Sequence, residues 1–148
     1  VPQSVYLTDD TIAQNIAFGI SKERININKL ERAIESSQLK EFISSLKDGI
    51  ETIVGENGVR LSGGQIQRIG IARALYNDPS VVVFDEATSS LDYDTERELM
   101  KDINKLKEEK TLIIIAHRLS TVDKCDFVIK IQSGEIVEQG KPDIIFKK

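Results

Sequence analysis

The 148-residue sequence contains one cysteine, Cys125, so no disulfide can form within it. Tryptophan is absent, histidine occurs once, at His117, and proline occurs three times. No apolar run approaches the roughly 20 residues that a membrane-spanning helix needs. The longest runs are Val81–Phe84 and Leu112–Ala116. Neither charge sign dominates: 20 basic and 24 acidic residues leave a net charge of -4, which does not mark a nucleic-acid binder. The start, Val-Pro-Gln-Ser, has no initiator Met, basic n-region or apolar signal core, and reads as cut from a longer chain. What remains is a chain long enough for one domain with a core.

The first half reads as helical. Val1 to Leu7 is extended and turns at Pro2. Asp10 can cap a short helix from Thr11 to Phe18, which Gly19 can end. From Asn28 to Lys47, Leu30, Ala33 and Ile34 keep helical spacing, as do Leu39, Phe42, Ile43 and Leu46. The phase slips between the two sets, which predicts two helices or one with a break. Ser62 is a good N-cap for a helix over Ile66 to Tyr76, stopped by Asn77-Asp78-Pro79. Gly63 and Gly64 then place bare amides in its first turn. Two readings stand: a plain helix start, or an anion site in which phosphate meets exposed N–H groups.

The second half alternates strand and helix. Val81–Phe84 is apolar throughout and predicts a strand covered on both faces. An amphipathic helix follows over Asp94 to Lys107, acidic at its start and basic at its end. Thr111–Ile115 is a second buried strand, so the unit is βαβ with parallel strands. Phe127–Ile131 and Glu135–Glu138 predict a hairpin through Ser133-Gly134, and Asp143–Lys148 a short terminal helix.

Asp85-Glu86 sits where the first of these strands ends, the edge at which open parallel sheets bind ligands. One carboxylate there can hold Mg²⁺ and the next can polarise a water; an acidic turn leading to a helix is the plainer alternative. His117 lies two residues past the second strand. Parallel pairing would bring it to Asp85 and Glu86, where it could contact a terminal phosphate. By local chemistry alone, Gln3 just past a strand end carries no signal, Glu56 and Asn57 read as a solvated turn, and Cys125 is structural.

In this order the motifs resemble the ATP-binding subunits of ABC transporters. Val1-Pro2-Gln3 is similar to the Q-loop, and Leu61-Ser62-Gly63-Gly64-Gln65 to the ABC signature. Val81–Glu86 is similar to Walker B with its catalytic glutamate, Ser90-Leu91-Asp92 to the D-loop, and Ile115-Ala116-His117-Arg118 to the H-switch. Thr11–Phe18 and Val54–Gly58 resemble the exporter branch. The pattern Gly-x-x-x-x-Gly-Lys-Ser/Thr is absent. Gly134 lies one position too far from Gly140-Lys141, and Pro142 stands where the hydroxyl is needed.

The resemblance implies an α/β fold: a three-layer, RecA-like P-loop NTPase core with an ABC α-helical subdomain, lacking the N-terminal β-subdomain and the P-loop. A helical signature subdomain is expected over about 8–78 and a catalytic core over about 79–148. It implies Glu86 and His117 as catalytic residues. Gln3, Ser62, Gly63, Gly64, Gln65 and Asp92 are expected to bind ATP, with Asp85 and Gln3 serving Mg²⁺, if need be through water. The expected partners are a second nucleotide-binding domain, head to tail, and transmembrane domains met through the Q-loop and Val54–Gly58, with no nucleic acid. The expected place is the cytoplasmic face of the membrane. The implied function is ATP hydrolysis powering export of a lipid, lipid-linked saccharide or peptide. A soluble ABC ATPase and a non-catalytic ABC-like interaction module are the alternatives.

Overall fold

The computed structural model describes residues 1–88 and 91–146. Four helices fill the first half: α1 (Ile12–Ile16), α2 (Ile27–Ser36), α3 (Lys40–Ser45) and α4 (Gly63–Leu75). The second half runs β1 (Val81–Asp85), α5 (Tyr93–Leu106), β2 (Thr111–Ile115), α6 (Leu119–Val122), β3 (Val128–Gln132), β4 (Glu135–Gly140) and α7 (Pro142–Ile145).

The break between α2 and α3 falls where the apolar phase slips, with Gln38 in the left-handed region at φ 56°. The cap of α1 is Thr11, whose hydroxyl accepts from Gln14 N at 3.1 Å. Asp10, expected as that cap, instead accepts from Thr11 N at 2.7 Å, one residue before the helix boundary. A side-chain oxygen on either residue can satisfy a first-turn donor, and Thr11 has the extended backbone that a cap requires.

α4 packs on α1, α2 and α5. Leu7, Ile12, Ile16, Leu30, Leu39 and Ile69 lie at or near zero exposure in the centre of the helical half. Two polar side chains hold the segment after Gln3 onto this unit. Asn15, fully buried, accepts from Thr8 N at 2.9 Å and donates to Thr8 O at 3.0 Å. Arg73 of α4 donates to Asn15 O at 2.7 Å and Tyr6 O at 2.8 Å, with its guanidinium over the Phe18 ring. Each of these bonds satisfies a backbone group that the loop would otherwise leave orphaned.

β1 and β2 are parallel, in register from Val81↔Thr111 to Asp85↔Ile115. Val1 extends the sheet on the other side of β1: its nitrogen donates to Val83 O at 2.6 Å and its carbonyl accepts from Asp85 N at 2.9 Å. That is one rung of a parallel ladder, so Gln3 leaves the sheet at the edge where β1 ends. Val82 and Phe84 join the buried cluster with Leu99 and Ile103 of α5. The expectation of a strand covered on both faces is corrected. Val81, Val83, Ile113 and Ile115 are 43–49% exposed, since among the described residues only one face of the sheet is packed. β3 and β4 form the expected antiparallel hairpin.

Parallel sheets ordinarily bury both faces, and this open apolar face gives a prediction. The 148-residue chain should bind a hydrophobic dye such as ANS. Val83→Thr with Ile113→Thr should lower that fluorescence and leave the helical circular dichroism unchanged.

Candidate functional site

The site begins where β1 ends. Period-two alternation puts Asp85 on the open face with Val81 and Val83. Glu86 then turns: its N–H donates to Ile115 O at 2.9 Å, and its φ is 48°. A left-handed glutamate is uncommon and costs free energy, and such residues cluster at functional sites. Two residues past β2, His117 Nε2 lies 2.8 Å from Glu86 Oε1. The Glu86 side chain is mostly covered at 27% exposure, while His117 at 82% stands in the open. The parallel register therefore delivers a carboxylate–imidazole pair beside Asp85, as the βαβ reading predicts. Such a pair can orient a water and take its proton.

Among the described residues no three His, Cys, Asp or Glu side chains group as a metal cage. Asp85 offers one hard oxygen donor at an open edge. That donor set fits Mg²⁺, which keeps waters and phosphate oxygens as its other ligands and needs only one or two carboxylates.

The second half of the site is the start of α4. Ser62 has extended backbone, and its hydroxyl accepts from Gln65 N at 3.3 Å. Gln65 Oε1 accepts from Ser62 N at 2.8 Å, closing a capping box. The Gln65 side chain thus shapes the helix start. The Gly63 and Gly64 N–H groups have no partner among the described residues, which fits an anion. Gly64 has a further reason to be glycine. A Cβ there would lie 2.8 Å from Thr95 Cγ2 of α5. The two helix starts are in close contact, and Asp92 caps the second by accepting from Thr95 N at 3.0 Å. That hydrogen bond holds the Asp92 carboxyl below its usual range. Ser90 lies outside the described residues.

Gln3 is exposed, and its carbonyl accepts from Gln67 Nε2 at 2.7 Å. Gln67 is buried on α4, and its Oε1 has no partner among the described residues. Sequence reasoning passed over Gln67; the signal was an amide on the buried side of an apolar helix. Glu56 and Asn57 stand on a turn in which Gly55, Asn57 and Gly58 all have φ between 52° and 78°. Val54, fully buried, pins this turn by donating to Asp10 O at 3.0 Å. Glu56 and Val59 remain exposed there.

Residues 1–89 match the model of the ABC transporter family. The chain belongs to that family. It is 45% identical over its whole length to an ATP-dependent lipid A-core flippase of Vibrio vulnificus (strain YJ016), covering 25% of that protein. It is 42% identical over 99% of its length to the protein of the same name in Burkholderia orbicola (strain AU 1054), covering 24% of it. Among solved structures, a bacterial Atm1-family ABC exporter with ATP bound superposes with a TM-score of 0.83 at 37% identity, over 99% of this chain and 25% of that one. The chain spans about a quarter of the length of the curated relatives it matches. The fold is that of an ABC ATPase domain, and family membership implies ATP as its nucleotide.

The close contact of α4 and α5 is testable. Gly64→Ala should destabilise the protein by about 1–3 kcal/mol through overpacking. Thr95→Ser, which removes the offending methyl, should recover most of that loss in the double variant, as read by urea unfolding.

Proposed function

We propose that this chain carries the Q-loop, signature, Walker B, D-loop and H-switch of an exporter's nucleotide-binding domain. The complete protein hydrolyses ATP to drive transport across a membrane. The observation that carries this reading is the Glu86–His117 contact of 2.8 Å beside Asp85 at the sheet edge. The lipid A-core flippases among its relatives favour a lipid as cargo.

Glu86 acts as general base on the attacking water. His117 contacts the γ-phosphate and steadies that water against Glu86. Asp85 would hold Mg²⁺, directly or through a water shared with Gln3, and the ion would supply charge neutralisation for the phosphates. Ser62, Gly63 and Gly64 offer a hydroxyl, two amides and a helix dipole to the γ-phosphate of a facing site, a preorganised anion binder. Gln65 serves through the capping box, and Asp92 through the start of α5. The facing site belongs to a second nucleotide-binding domain, arranged head to tail. Residues of about 8–78 form the signature subdomain and those of about 79–148 the catalytic core. The turn bearing Glu56, together with the Gln3 loop, meets the transmembrane domains, and the unit lies on the cytoplasmic face of the membrane.

In the complete protein, Glu86→Gln should leave ATP binding intact and lower turnover by about 10²- to 10⁴-fold. Turnover at the wild-type rate would remove Glu86 from the base role. The 148-residue chain alone, without a Gly-x-x-x-x-Gly-Lys-Ser/Thr loop, should show no ATPase activity above background.

A further inference from the structure

We propose that Glu96 is a positioning residue that sets the Glu86–His117 contact. Glu96 lies in the first turns of α5 and is only 4% exposed. Its Oε1 accepts from Thr88 Oγ1 at 3.0 Å and from Thr121 Oγ1 at 3.1 Å. Its Oε2 accepts from Arg118 Nη1 in a charge-assisted bond. These partners are not spread at random along the chain. Thr88 lies two residues past Glu86, Arg118 is the neighbour of His117, and Thr121 follows on α6. One buried carboxylate therefore ties down both backbone segments that carry the pair.

The chemistry makes this tie selective. A buried carboxylate persists only when its lone pairs are used and a cation answers its charge. Here two hydroxyls on Oε1 and one guanidinium on Oε2 do so, and both carboxylate oxygens are engaged. Glu86 sits in a costly left-handed conformation that needs surrounding structure to maintain it. Glu96 supplies that support from outside the site: among the described residues its hydrogen bonds go to Thr88, Thr121 and Arg118, not to Glu86 or His117.

The inference rests on the catalytic roles of Glu86 and His117, and the test separates the two. In the complete protein, Glu96→Gln keeps an oxygen for Thr88 and Thr121 but turns an N–H₂ group towards Arg118. It should lower kcat by about 10- to 100-fold, with the KM for ATP changed less than about twofold. Hydrogen exchange should speed up at the amides of Glu86, Thr88, His117 and Arg118 and stay unchanged along α4. Added to Glu86→Gln, it should lower the residual rate no further. If Glu96→Gln fails to fold, Arg118→Gln, on a half-exposed side chain, should give the same pattern. Wild-type kcat in a folded Glu96→Gln protein, a further loss on top of Glu86→Gln, or exchange raised equally throughout would overturn the inference. Wild-type turnover in Glu86→Gln would instead overturn the functional reading beneath it.

Discussion

Parallel pairing of Val81–Asp85 with Thr111–Ile115 is the constraint on which the site depends. Parallel strands end on the same edge, so residues distant in the chain emerge side by side. Asp85↔Ile115 is the last pair of the register, and both strands end there. Glu86 is caught by Ile115 O in that turn, and His117 follows two residues later. A slip of one residue would put Asp85 on the packed face and separate the pair. The backbone ladder thus fixes what the carboxylate and imidazole can do together.

The start of α4 obeys a different logic. Its amides are held in place by a local device, the reciprocal Ser62–Gln65 cap, and by contact with the start of α5. Nothing in that arrangement needs the β1–β2 edge. The two features suit two half-sites, one binding phosphate through dipole and amides and the other moving a proton. Gln67 links them mechanically, since it sits on α4 and holds the carbonyl of Gln3, the residue leaving the sheet edge. Arg68 of the same helix ties α4 to Asp102 of α5 at 2.7 Å and to Ser37 O at the end of α2 at 3.3 Å.

Features governed by neighbours along the chain are legible in the sequence itself. The Ser62 cap, the break before Leu39, the stop at Asn77-Asp78-Pro79 and the hairpin at Ser133-Gly134 all follow from local backbone chemistry. The meeting of Glu86 with His117 is legible one step further on, because a strand–helix–strand pattern has essentially one handed solution. Glu96 is not legible: on an amphipathic helix whose start is acidic, a glutamate reads as solvated, and only the tertiary structure shows it buried. The same holds for Gly64, whose contact with Thr95 joins two helices by their starts. The open face of the sheet escapes the sequence because a continuous apolar run signals burial on two sides and cannot say what supplies the second.

That the signature and the Glu86–His117 pair serve opposite nucleotides of a dimer is the core of the proposed function. It is tested most directly by placing two lesions in one fused pair of complete protein chains and measuring ATP turnover. One lesion is Glu86→Gln and the other is Ser62→Asp, which keeps a capping oxygen at the exposed start of α4 but puts a carboxylate where phosphate should lie. With the lesions on different copies, both fall in one composite site, the other site is intact, and turnover should persist. With both lesions on the same copy, each site carries one defect and turnover should vanish. The opposite pattern, activity with both lesions on one copy and none with them apart, would mean that each copy's signature serves its own Glu86–His117 pair.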